Sequence, residues 1–221
     1  MLLPLAPAAF DAAAAPVLPQ LTMAALLPGA LGAVVVGSGG PTFFDRFSAD
    51  APEARDGVPN PLDRFTRRVV AEAIHADLEP FGVRYAVYHP FGAEPVIPFQ
   101  RLGRAAGLGG PSPLGLQVHP TYGAWWAYRA LVVVDRELPA GKPPGDGCEG
   151  CPAPCIDACP ARAPARAGFS VAACHVHRLM AEPCRLSCAA RLACIRGPEH
   201  RYRDEELAFH MAASMPRRPF P

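Results

Sequence analysis

The chain has 221 residues and a formal net charge of +1, from 21 basic and 20 acidic side chains. That length suits one large domain or one domain with an appendage, and near-neutrality leaves out the basic footprint of a nucleic-acid binder. Half of the residues are hydrophobic, but 28 prolines break the apolar runs, so no stretch reads as a membrane span.

Residues 1–24 read as a loose, alanine- and proline-rich lead-in with a short helix near Phe10–Ala15. Met1–Gln20 lacks the positive start of a signal peptide, which makes the cytoplasm the expected location. Residues 25–139 then read as a layered α/β domain, and 145–215 as a cysteine module with a closing helix. Leu31–Gly37 is a short apolar run bounded by glycine, the pattern of a buried strand. It enters Ser38-Gly-Gly-Pro41, a turn that could approach a phosphate but lacks the rest of a phosphate-loop pattern.

Asn60–Leu78 is the clearest helix. Asn60 suits the cap, Pro61 the first position, and Asp63 the positive end of the helix dipole. Phe65, Val69, Ala73 and Ile74 recur at helical spacing, His75 reads as packed or exposed, and Gly82 can close the segment. Val83–Tyr88 follows as a second strand, and strand, helix, strand suggests an α/β layer. Leu102–Gly110 reads as a short helix ending near Gly107. The glycine loop there, with Gly107 and Gly109, either lets a planar ligand near the backbone or simply turns the chain. From Ala124 the sequence reads as a long strand that carries Arg129 among apolar neighbours. A buried guanidinium needs a partner: a carboxylate such as Asp135 or Glu94, or a ligand phosphate or carboxylate. His119, Tyr122 and Trp125 are further candidates for the same pocket, though His119 equally suits a packed turn before Pro120 and tryptophans are more often core. Pro139–Gly147 marks a linker, and Asp204–Met211 a closing helix with Glu205 and Glu206 near its start and Leu207 and Phe209 inward.

All eight cysteines lie between Cys148 and Cys194. The run Cys148, Cys151, Cys155, Cys159-Pro160 is C-x2-C-x3-C-x3-C-P, one residue longer than the bacterial ferredoxin run. In that run the fourth cysteine serves the other cluster. The spacing therefore predicts two [4Fe–4S] clusters, one on Cys148, Cys151, Cys155 and Cys194, the other on Cys159, Cys174, Cys184 and Cys188. Three close thiolates cap one face of a cluster and the fourth comes from elsewhere in the chain. Two other arrangements use eight cysteines. Paired zinc sites favour two C-x2-C knuckles, and only one is present. A disulfide framework needs a secreted context. His175 and His177 flank Cys174 and are expected beside the ligands rather than among them.

Several stretches resemble known families. Leu31–Arg46, Asn60–Val70 and His119–Arg129, with the late Glu199-His-Arg-Tyr-Arg-Asp-Glu-Glu-Leu-Ala-Phe209 segment, resemble the CblC-type cobalamin-processing proteins in the same order. The cysteine grouping, the Ala106-Gly-Leu-Gly109 loop and the Tyr-Gly-x-Trp turn resemble epoxyqueuosine reductase. The resemblance spans about residues 25–215 and implies a nitroreductase-like, cobalamin-binding fold with iron–sulfur clusters packed beside a corrinoid. In CblC-type proteins the arginine matching Arg129 lies at the thiol-cosubstrate site; here the cysteine module stands where their other glutathione contacts lie. The resemblance implies an iron–sulfur oxidoreductase that passes electrons from the clusters to cobalt, with a flavodoxin or ferredoxin-type reductase as donor. A flavin could take the corrinoid's place, since related folds accept either. The alternatives are a ferredoxin-like electron carrier without a corrinoid, a zinc-stabilised binding protein, and an epoxyqueuosine-reductase-like enzyme acting on tRNA. With 27 residues after Cys194 and a near-neutral charge, nucleic acid is not the expected partner.

Overall fold

The computed structural model describes residues 1–92, 94–108, 112–139 and 145–215. The chain forms two compact units. One comprises Met1–Ser38, Thr42–Gly107 and Ala127–Pro143; the other comprises Gly39–Pro41, Leu108–Trp126 and Pro144–Pro221.

The first unit begins with β1 (Leu2–Leu5), α1 (Pro7–Ala14), α2 (Met23–Leu26), β2 (Gly32–Gly39), α3 (Thr42–Asp50) and α4 (Pro61–Asp77). It continues with β3 (Tyr85–Tyr88), α5 (Phe99–Ala105) and β4 (Trp126–Val134). The four strands form one open sheet in the order β1-β2-β4-β3. β1 runs antiparallel to β2 with Leu2 opposite Val36, and β3 antiparallel to β4 with Tyr85 opposite Val134. The central strand β4 is buried along most of its length, as a strand covered on both faces must be. α4 lays Ile74 and Val70 against Ala130, Val132 and Val134. This is the mixed α/β arrangement that the strand–helix–strand pattern leads one to expect.

Four local readings change. The lead-in carries the edge strand β1 and the helix α1, whose Phe10 and Ala14 are fully buried. Pro4 is tolerated in β1 because an edge strand can do without one ladder N–H. Asn60 sits at the α4 cap position in left-handed backbone (φ 55°) and makes no side-chain capping bond; asparagine visits that region more readily than most residues. Ala73 is exposed, and Leu62, Phe65, Thr66 and Ile74 form the buried stripe. The helix ends at Asp77, and Gly82 (φ 60°) closes the short 3-10 turn after it rather than α4 itself.

In the second unit regular structure is sparse: α6 (Pro154–Asp157), the two-residue strands β5 (Pro164–Ala165) and β6 (Gly168–Phe169), α7 (Val171–Met180), α8 (Pro183–Leu186), α9 (Ala189–Leu192) and α10 (Asp204–Ala213). α10 is the expected closing helix. It buries Leu207 against Trp125 and Tyr202, whereas Phe209 is only half-buried. Glu206, read as a polar residue near the helix start, is instead 2% exposed, with its Oε1 3.7 Å from His210 Nε2. The turn at Gly123 (φ 59°) lies back to back with Arg196–Gly197, so a Cβ at Gly123 would run into the Arg196 carbonyl. Among the described residues, no helix is long and apolar enough to cross a membrane.

Candidate metal centres

All of the cysteines but Cys174 are placed by turns and single-turn helices. Gly147 N donates to Val118 O (3.1 Å), and the packing leaves no room there for a side chain. Cys148 N donates to Asp146 Oδ1 (2.8 Å), and Cys151 N to Cys148 O (3.1 Å), which coils the C-x2-C turn. Ala153 holds left-handed backbone (φ 62°), its N donates to Cys151 Sγ (3.4 Å), and Pro154 then starts the α6 turn bearing Cys155. Cys159 follows α6, Cys174 lies within α7, Cys184 on α8, Cys188 at the cap of α9, and Cys194 just beyond it.

These segments sort the thiols into two groups of four. Cys148, Cys151, Cys155 and Cys194 line a cavity of about 60 Å³ walled by Leu114, Val118 and Ala153. Cys159, Cys174, Cys184 and Cys188 line a second of about 30 Å³, together with His177 and Arg178. All eight are free thiols, so no disulfide framework is present. Cys155 and Cys194 are buried and the other six half-buried.

Burial pushes the Cys148 thiol up to about 11, and Asp146 and the facing thiols Cys151, Cys194 and Cys155 add to the push. Burial also raises Cys155. Cys174 and Cys184 rise for the same first reason, with Arg178 working against it at both. A bound cation would favour the thiolate form of these four. Among the described residues, no three histidine, cysteine, aspartate or glutamate side chains converge as the ligands of a single ion would. The thiols instead stand around a volume. Four sulfurs around a mostly apolar space, one of them accepting an amide N–H, suit a polynuclear iron–sulfur group better than one tetrahedral ion.

Arginines hold the frame. Arg196 donates from Nε to Gly147 O (2.9 Å) and from Nη2 to Glu149 O (2.7 Å), clasping Cys148 from both sides. Because Arg196 stands two residues beyond Cys194, this one side chain ties the two ends of the first thiol group. Arg178, 5% exposed, donates to Cys184 O (3.2 Å) and Ser214 O (3.1 Å). Arg191 donates twice to Ala124 O (3.0 and 2.6 Å) with its guanidinium over Trp125 and Tyr202. None of these bonds leaves a local pattern in sequence, and only the spacing of the cysteines announces the site.

The residues read for a planar cofactor have partners inside their own units. His119 Nδ1 accepts from Thr121 N (3.0 Å) and Tyr122 N (3.2 Å), and burial lowers its pKa to about 4, so the ring is neutral and organises its own turn. Tyr122 packs against His119, His200 and Gly39. Trp125 is fully buried in an edge contact with Tyr202, and its Nε1 has no hydrogen-bond partner among the described residues. In the first unit Arg129 is buried, donates from Nε to Ser38 Oγ (2.8 Å), and lies 4.2 Å over the Phe43 ring. The expected carboxylate Asp135 pairs instead with Arg84 and Arg136. Gly107 (φ 95°) follows the end of α5, and Gly109 lies outside the described residues. This donor set fits a corrinoid less closely than the thiols fit clusters, since His119 and Arg129 are already engaged in holding their own turn and strand.

No protein-family model and no curated protein matches the chain. Solved structures do. Epoxyqueuosine reductase from Streptococcus thermophilus matches with TM-score 0.53 and 14% identity, over 80% of this chain and 52% of that one. A selenomethionine-labelled epoxyqueuosine reductase gives 0.54 and 17%, over 86% and 55%. An epoxyqueuosine reductase with an epoxyqueuosine-modified tRNA-Tyr stem loop gives 0.50 and 18%, over 86% and 55%. At these identities the likeness is one of fold, and the chain spans about half the length of those structures. They support the epoxyqueuosine-reductase half of the resemblance and not the CblC half.

Proposed function

We propose that the chain is an iron–sulfur oxidoreductase of the epoxyqueuosine-reductase type. The observation that carries this reading is the sorting of eight free thiols into two cavities of four. Cys148, Cys151, Cys155 and Cys194 would hold one [4Fe–4S] cluster, and Cys159, Cys174, Cys184 and Cys188 the other. Bound clusters supply one-electron transfer at low potential. The chain's own part is structural and electrostatic. Ala153 N–H points at the Cys151 sulfur, Arg178 places positive charge beside the second group, and the lining of the first is mostly apolar.

The substrate class is an epoxide-bearing nucleoside in tRNA, by likeness of fold to the structure that holds such a stem loop. That replaces the expectation drawn from charge: a net charge near zero describes the whole surface and says nothing of one local groove. A corrinoid or flavin as the acceptor of electrons is the finer reading that the resemblance implies.

The test is purification without oxygen followed by metal and sulfide analysis, then incubation with a reductant and an epoxyqueuosine-containing tRNA stem loop. The reading expects about eight irons per chain with matching sulfide and loss of the epoxide by mass spectrometry. Zinc without sulfide would overturn the cluster assignment. Redox-active clusters with no change in the nucleoside would leave an electron carrier. A cobalamin titration under the same conditions decides the corrinoid through the corrin spectrum.

A further inference from the structure

Arg178 is a buried cation whose described partners are neutral. It stands on α7, 5% exposed, and lines the cavity of Cys159, Cys174, Cys184 and Cys188. Its guanidinium donates to Cys184 O (3.2 Å), Ser214 O (3.1 Å), Ser214 Oγ (3.3 Å) and Met211 O. These bonds tie α7 to α8 and to the end of α10, and they fix where the charge stands. None of these acceptors is charged, and a guanidinium keeps its proton. A charge taken out of water is costly unless an opposite charge compensates it. Glu182, the nearest carboxylate along the chain, is exposed, so water screens it. The thiol cavity is where a closer countercharge can sit.

The first thiol group has a different balance. Cys155 and Cys194 are buried there, whereas all four thiols of the second group are half-buried. Net charge and solvent exposure both set the potential of an iron–sulfur group, and burial disfavours the more negative, reduced state. The arginines lining the first cavity are better hydrated, Arg166 being exposed and Arg196 half-buried. The Asp146 carboxylate accepts from Cys148 N (2.8 Å) and adds negative charge. Against this stands Ala153 N on Cys151 Sγ (3.4 Å), a neutral dipole rather than a full charge. At the second group Arg178 already acts on the thiols, opposing the rise that burial causes at Cys174 and Cys184.

We propose that Arg178 is the countercharge of the second cluster and sets it at a higher reduction potential than the first, so that an entering electron rests on the cluster of Cys159, Cys174, Cys184 and Cys188. The proposal rests on the cluster reading above. Four thiolates leave a [4Fe–4S] group net negative, by one unit more when it is reduced. A fixed, poorly screened cation therefore favours the reduced state most. One electron leaves the reductant, which is oxidised, and enters the oxidised cluster, with no atom or group transferred.

The experiment titrates the cluster-loaded full chain with dithionite at measured potentials and counts the reduced clusters by electron paramagnetic resonance. The wild type should show two separate one-electron steps. Arg178→Met should weaken reduction at the upper step about tenfold, a shift of about 59 mV for one electron, and leave the lower step in place. Arg178→Lys, which keeps the charge, should stay near the wild type. Iron and sulfide should be unchanged in both variants. An upper step unmoved by Arg178→Met, a lower step that moves, or wild-type steps that coincide would overturn the proposal. Should Arg178→Met hold less iron, Arg178→Lys decides: full iron at the wild-type potentials supports the proposal, and any other result overturns it, because bonds and not charge would then keep the site. A wild-type protein without iron and sulfide would instead remove the cluster reading, and the countercharge with it.

Discussion

The two units use the same side chain in different ways. In the α/β unit arginines chiefly meet carboxylates: Arg64 with Asp56, Arg68 with Glu53 and Glu72, Arg84 and Arg136 with Asp135. In the cysteine unit they reach main-chain carbonyls: Arg178 to Cys184 and Ser214, Arg191 to Ala124, Arg196 to Gly147 and Glu149, Arg201 to Leu192. The backbone explains the difference. A four-stranded sheet with long helices satisfies its own peptide groups, so charged side chains are left for the surface. A unit in which three of five helices have four residues and turns join the rest leaves carbonyls without ladder partners, and each buried one needs a donor. Arginine supplies several donors in a rigid fork and cannot lose its charge. The cysteine unit is therefore framed by side chains where the α/β unit is framed by backbone, and substitutions should act differently in each.

The largest effect is expected where main chain meets main chain. Gly123→Ala would force left-handed backbone on alanine and drive its Cβ into the Arg196 carbonyl. Strain of this kind with a core clash costs about 3 kcal/mol or more. Thermal unfolding should show it, and near-wild-type stability would mean that the turn and the Arg196 segment part easily.

Next comes the clasp itself. Arg196→Met removes both donors beside Cys148 and should abolish one cluster while sparing the other, cutting iron from about eight to about four per chain. Arg196→Lys, with a single point of charge, should recover only part of the loss. Equal loss at both sites would show that the two groups assemble as one. Arg191→Met should cost about 2 kcal/mol through the lost charged hydrogen bonds and the ring contacts, with iron content near normal. A large fall in iron would place Arg191 in the cluster frame rather than in the packing around Trp125.

The sequence is most readable where one physical rule acts locally. α4 follows from apolar period, β2 from an apolar run bounded by glycine, and the cysteine grouping from spacing. Reading stops where partners are far apart in the chain. β1 hides in an alanine- and proline-rich opening because its evidence is pairing with Val34–Val36, not its own composition. Arg196 and Gly147 are 49 residues apart, and Arg191 and Ala124 are 67 apart, so nothing near either arginine foretells the bond. Glu206 looks like an ordinary helix-start carboxylate and becomes buried only because α10 closes over the unit. His119 reads equally well as ligand or turn residue, and only the two amides aimed at its Nδ1 decide for the turn.

The smallest effect, and the one that separates the two framing modes most cleanly, lies at Glu53. Its carboxyl is held below the ordinary range first by the hydrogen bond from Arg68 Nε (2.7 Å) and then by a backbone N–H, with burial opposing. A depressed carboxyl contributes stability at neutral pH, and the contribution fades as pH falls past the usual glutamate range and is gone below the folded-state value. Glu53→Gln should therefore lower Tm by about 2 °C at most at pH 7, and the gap should close on acidification. Salt should shrink it too, because Arg68 is well exposed. The Arg196 and Arg191 variants should show no such pH dependence across the acid range, because a peptide carbonyl does not titrate. A pH-independent loss at Glu53 would mean that its place under Arg68 is held by shape and not by charge, which would erase the distinction between the two units.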